Sequence, residues 1–184
     1  MRRAHGLATS KRQAFCDSTS SCDNGRHTIT FLMLPTAAGA VPGGVFITNT
    51  GTRESYRAAF ELLADELGTR AFGGQGYPEI IMTDDSQPER DALRDVWGLA
   101  KLLLCLFHIS QAVWRWLLDA KHGIQKEHRQ SLMHDFLILC RSKSELEAFK
   151  LYVACCRNGK EYSNYVDYME NLWQRREEWC LFYR

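Results

Sequence analysis

No stretch of this sequence approaches the ~18 consecutive apolar residues that a membrane-spanning helix needs, so none is expected. The start, MRRAHGLATSKRQ, has no apolar core of the kind that marks a signal peptide. A bias in charge is missing too: 23 Lys and Arg stand against 22 Asp and Glu, a formal +1. A protein that grips nucleic acid along its whole surface is far more basic, so any such contact must be local or lie on a part not present here. The seven cysteines show no small-scaffold disulfide spacing; their number is odd, and Cys155 and Cys156 are adjacent. Reduced thiols in the cytosol or nucleus are the expectation. Neither an internal repeat nor a low-complexity segment is present.

What remains is an ordinary globular composition, 45% hydrophobic and 24% charged, in 184 residues, enough for one domain with a real core. Residues 1–12 carry Arg2, Arg3, Lys11 and Arg12 and are expected to form a solvated basic tail. From Gln13 the pattern turns to strands: QAFCDSTSSC, then His27 to Thr30 running into Phe31–Leu34, then Val41 to Thr50, separated by short turn-rich gaps. The period then becomes helical, with Tyr56, Ala59, Phe60, Leu63 and Leu67 on one face and Gly68 as the stop. Ile80-Ile81-Met82 reads as a buried strand, and SQPERDALRDVWG as a short helix with Ser86 at its cap and Pro88 in its first turn. Lys101 to His108 reads as another buried strand. The expected order is β-β-β-α-β-α-β, an α/β fold over residues 13–108, followed by an all-α extension over 109–184. Four helices are expected in the extension, one of them capped by Ser144 with Glu147 at the capping-box position. The stripe Tyr162, Tyr165, Tyr168 and Trp173 has the spacing of a core face rather than of a base-stacking platform.

Two acidic positions stand out by their placement. Asp17 closes the first strand, and Asp84, followed by Asp85, closes the Ile80–Thr83 strand. Residues just past strand ends line the crevice of an α/β sheet, so carboxylates far apart in sequence can meet there. Close carboxylates repel unless neutralised, and Mg²⁺ is the usual hard cation for oxygen ligands. The alternative is local: Asp17 opens a turn, and Asp84 or Asp85 caps the next helix. Cys105 and His108 form a C-x-x-H pair, half a zinc site at most, so zinc is not expected from this chain alone. His108 reads either as a satisfied core histidine or as a neighbour of the acidic crevice.

The run MTDDSQPERDALRDVWGLAKLLLCLFHISQAVWRWL resembles the Mutator-like (MULE) transposase domain. The shared pattern is an apolar strand, T-D, a spacer, A-L-x-x-V-W, then L-x-C-x-[FW]-H-[IV]. Upstream, AFCDSTSSC is similar to that family's D-x-T strand. The resemblance covers Phe15 to His108 well and the helical remainder loosely; Gly98 stands where Pro is usual. It implies a ribonuclease-H-like core of the DDE superfamily, a polynucleotidyl transferase using Mg²⁺ or Mn²⁺. Asp17 matches the first metal-binding carboxylate and Asp84 the second, with Asp85 behind it; Cys105 and His108 match a pair that is structural or shapes the site. The implied partners are DNA at element terminal repeats and a second copy of the chain, in the nucleus, with no membrane. The family's third carboxylate, a Glu in an N-x-x-E-like segment, has no counterpart here. Glu145, Glu161, Glu170, Glu177 and Glu178 each fit a solvated helix face. The expectation is therefore a fragment that is inactive by itself, or a non-catalytic transposase-derived module that binds DNA or protein.

Overall fold

The structure is a computed structural model and describes residues 2–20 and 23–184. Ser21 and Cys22, which end the AFCDSTSSC run, lie outside the described residues. The chain divides into two compact units, Met1–Leu103 and Leu104–Arg184. The elements of the first are α1 (Arg2–His5), β1 (Gln13–Ser20), β2 (Thr28–Thr36), β3 (Gly39–Thr48), α2 (Arg53–Leu67), β4 (Ile80–Thr83), α3 (Gln87–Val96) and β5 (Lys101–Leu104), which runs across the boundary. The second holds α4 (Leu106–Leu118), α5 (Lys126–Cys140), α6 (Glu145–Asn158), α7 (Ser163–Gln174) and α8 (Arg176–Trp179). None of the described helices is long and apolar enough to cross a membrane.

The protein is thus α/β, with a five-stranded mixed sheet in the order β3-β2-β1-β4-β5. Strands β1, β2 and β3 form an antiparallel meander, and β4 joins β1 in parallel with Phe15 opposite Met82. Alternation along the strands sends Ala14, Cys16, Thr28, Thr30, Leu32, Leu34, Ile81 and Thr83 to one face, where they are buried. Helices α2 and α3 share a core with that face. Phe60 is its hub: it stacks on Tyr56 and meets Trp97 at 5.6 Å, and Trp97 in turn meets Phe72 edge-on at 5.5 Å. Complete burial of Phe60, Leu32 or Leu93 stabilises the unit by about 2–3 kcal/mol each. The opposite face carries Phe31, Val45 and Ile47, all partly exposed.

Helix α2 starts where its sequence says. Thr52 accepts a hydrogen bond from the Ser55 amide, and Gly68 ends the helix at φ +53°, a conformation that favours glycine.

Two expectations are corrected. Residues 2–12 are not a solvated tail. His5 is fully buried, its ring edge-on to Phe72 at 4.7 Å, and Ser10 is buried with it. The Phe72 amide donates to Nδ1 of His5 at 3.4 Å, which makes that nitrogen the acceptor; Nε2 therefore carries the proton and donates to the Gly43 carbonyl at 2.9 Å. Carbonyls of Lys11 and Arg12 accept from the amides of Glu79 and Ile80, tying the segment to the start of β4. The second correction concerns Cys105 and His108. The strand ends at Leu104, Cys105 is the N-cap of α4 and His108 lies in that helix's first turn. Helical hydrogen bonding starts at once, from the Ile109 amide to the Cys105 carbonyl at 3.0 Å.

In the second unit α4–α7 bury Val113, Leu117, Phe136, Leu139, Tyr165 and Met169 around Trp179. Ser144 caps α6 as expected, accepting from the Glu147 amide; the Glu147 carboxylate reaches back to the Lys143 amide rather than to that of the cap. The aromatic stripe is packing: Tyr165 is fully buried, and Trp116 lies flat between Tyr168 and His122 at 4.7 and 3.9 Å. Burial pushes the thiols of Cys140 and Cys155 up to about 12, so both are inert, and the six described cysteines are all free.

Candidate functional site

Strand β1 occupies the middle of the sheet, and its parallel neighbour is β4. The β1–β4 pairing runs from Gln13 opposite Ile80 to Phe15 opposite Met82; Asp84 follows directly after β4, whereas Asp17 does not close its strand as expected, since β1 runs on to Ser20. Asp17 is exposed and faces Phe31 across the β1–β2 ladder; by alternation its side chain leaves β1 on the face opposite Cys16 and Ser18. Asp84 is half-buried just beyond β4. Its Oδ1 accepts the Ser86 amide at 3.0 Å, and its carbonyl accepts the Thr83 hydroxyl at 2.7 Å. Ser86 makes no side-chain cap bond; Asp84 instead accepts the amide of that N-cap residue, in the turn that leads into α3. That local role stands close to the alternative reading of Asp84, and it leaves Oδ2 outside this bond. Asp85 is exposed.

The sequence reading missed Glu89. It lies on the first turn of α3, fully buried, and accepts a short hydrogen bond on Oε2 from the Ser18 hydroxyl. Ser18 Oγ is also 2.8 Å from Thr30 Oγ1, so a chain of hydroxyls leads from β2 across β1 to the carboxyl. The Cys16 thiol also hydrogen-bonds the Glu89 carboxyl, and Oε1 is buried with no nitrogen or oxygen partner. Burial pushes Glu89 up to about 7; the Ser18 bond pulls the other way, and the negative charges of Asp84 and Asp17 add to the rise. The same three carboxylates, after burial, hold the Cys16 thiol far above its ordinary range. The charges of Asp84 and Asp17 thus act on Glu89, which spends part of its time protonated near neutral pH. A signal for it was present: positions 89, 92, 93 and 96 share one helix face, which puts a glutamate on the apolar side of α3 with Ala92 and Leu93.

A polar cleft of about 340 Å³ opens at this end of the sheet, lined by Ser18, Asp84, Ser86, Tyr56, Thr28 and Arg26 among others. Hydroxyls and one guanidinium around a carboxylate suit an oxygen-rich ligand better than an apolar one. Carboxylate oxygens are the donors a hard divalent cation takes. Among the described residues, no group of three or more His, Cys, Asp or Glu side chains is arranged to hold a metal ion. Asp17, Asp84 and Asp85 belong to the first unit, whereas Cys105 and His108, both half-buried, belong to the second, where the His108 ring meets Phe107 edge-on. No protein-family model matches the chain, and no curated protein matches it.

Proposed function

We propose that the first unit is a ribonuclease-H-like nucleic-acid-processing core of the Mutator-like transposase type, with Asp17 and Asp84 as its cation-holding acids. One observation supports the reading: Asp17 on the central strand β1 and Asp84, just past its parallel neighbour β4, are both near enough for their charges to act on the same buried carboxyl, Glu89. The β-β-β-α-β-α-β order agrees with the resemblance in the sequence. A Mg²⁺ or Mn²⁺ ion held by these acids would supply offset of the charge that develops on phosphate oxygens during in-line attack by water or a DNA 3′-hydroxyl. The chain's own groups do the rest. The Ser86 amide orients Asp84, and Ser18 holds Glu89 against the end of β1. Arg26 and the cleft hydroxyls offer donors to a phosphate of the DNA strand. Isothermal titration with Mn²⁺ tests the reading. Wild-type chain should bind, and Asp17→Asn and Asp84→Asn should each abolish the heat; binding that survives both changes contradicts it.

A second reading, a non-catalytic transposase-derived module that binds DNA or protein, is favoured by the lack of a three-ligand group among the described residues. On that reading Mn²⁺ does not bind in the same titration, and Asp17→Asn leaves the chain's interactions unchanged.

A further inference from the structure

We propose that the outer edge of β3 pairs with β3 of a second copy of the chain, antiparallel about a two-fold axis, so that two five-stranded sheets join into one. The inference lies within the first unit and does not depend on the reading of Asp17 and Asp84.

Strand β3 ends the sheet, and a strand in that place presents a row of N–H and C=O groups that no neighbouring strand takes. Its first half is guarded. Pro42 has no N–H to offer, the Gly43 carbonyl accepts from Nε2 of His5, and the ladder to β2 skips Gly43 as a bulge. Residues 44–48 have no such protection. Their pairing with β2 is regular, and among the described residues no backbone bond outside that ladder reaches them. A lysine or an inward-pointing charge often blunts an edge, but Gly39–Thr48 carries no charged residue. At the other edge β5 is only four residues long and begins with Lys101.

Both faces beside this edge are apolar. On one, Val45 and Phe31 lie opposite each other, partly exposed, and Ile47 is 68% exposed. On the other, a groove of about 340 Å³ runs between β3 and α2, lined by Phe46, Ala59, Leu62 and Leu63, with Leu62 72% exposed. Large apolar side chains left to water on both sides of an unpaired strand mark an interaction surface. The occupant must bring a backbone to pair with, apolar side chains alternating over both faces, and no charge. β3 itself meets these demands, and a two-fold pair needs one such strand from each copy. With Phe46 opposite its counterpart, Val45 of each copy faces Ile47 of the other. The two α2 helices then lie on the same side of the joined sheet, where the Leu62 side chains close the grooves. Charge does not oppose this approach: Glu66 at the groove's rim is paired with Arg2, and Arg57 with Glu61. One strand pair and one helix contact make a small interface, so association in the micromolar range is expected.

Sedimentation equilibrium of the full chain, with hydrogen exchange of the β3 amides read at low and high concentration, tests the inference. Wild type should form a dimer in the micromolar range, and exchange at residues 44–48 should slow as it does. Ile47→Lys and Leu62→Glu each put a charge where the two copies meet, and each should raise the dimer dissociation constant about tenfold or more. Both side chains are exposed in the single chain, so either variant should keep the fold, which circular dichroism checks. A wild-type chain that stays monomeric, which would leave the edge to a strand of another protein, overturns the inference. So does a dimer that both variants leave unchanged, or one that forms without slowing exchange in β3.

Discussion

Replacing Glu89 by glutamine should make the first unit more stable at alkaline pH and change its response to pH. The carboxyl is pushed from 4.5 to about 7, chiefly by burial. Each pKa unit corresponds to about 1.4 kcal/mol, so ionising Glu89 inside the fold costs roughly 3 kcal/mol. The unfolded chain gives up this proton near 4.5, whereas the folded chain holds it to about 7, so the native state binds more protons in between. Stability from this group is therefore fully present below 4.5 and is lost as pH rises through about 7. Glutamine does not titrate. The stability difference between Glu89→Gln and wild type should shift in favour of the variant by about 2–3 kcal/mol between pH ~4.5 and ~8. Urea unfolding, followed through the amide resonances of β1 and β4, reads the first unit alone, and other titrating groups cancel in the difference. A difference that stays constant to within about 0.5 kcal/mol across that range would refute the burial of an ionisable, cation-free Glu89.

His5 offers a test with the opposite slope. Burial lowers its pKa below 6.5, so its contribution is present above 6.5 and lost as pH falls below it; His5→Phe should remove that acid sensitivity in a urea series. His5→Ala should cost about 2–4 kcal/mol, from two lost hydrogen bonds and a cavity against Phe72, measured by urea midpoints. In the second unit Gly159→Ala should destabilise by about 1–3 kcal/mol, because a Cβ there would come within 2.2 Å of the buried Tyr165 ring; thermal melting with an unchanged midpoint would contradict that packing.

The regular elements were legible because their periods are strong. Alternation through Ala14 and Cys16, and the three-and-four spacing of Tyr56, Ala59, Phe60 and Leu67, reach the observed strand and helix from residue type alone. The C-x-x-H boundary was not legible. In LLLCLFHI every position but His108 is apolar, and a buried strand and the first turn of a buried helix look the same over so short a run. The N-terminal segment was misread for a different reason. His5 and Ser10 are polar, and their burial depends on backbone partners at Gly43, Phe72 and Leu7 that no local pattern announces. At the site, Asp84 does follow a strand end, but Asp17 was picked on the same ground although β1 runs on to Ser20, and Glu89 was passed over because a glutamate after Pro88 reads as an ordinary first-turn acid. Only its place on the Ala92 and Leu93 face set it apart.

Whether one cation is held by Asp17 on β1 together with Asp84 just past β4 can be asked in a single experiment by iron-directed cleavage. Fe²⁺ with ascorbate generates hydroxyl radicals where the ion binds and cuts the backbone nearby. The account predicts two clusters of cuts, around Asp17 and around Asp84 to Glu89, both suppressed by excess Mg²⁺ and both lost in Asp84→Asn. Cuts at only one of these segments, or a pattern that Mg²⁺ and Asp84→Asn leave unchanged, would contradict it.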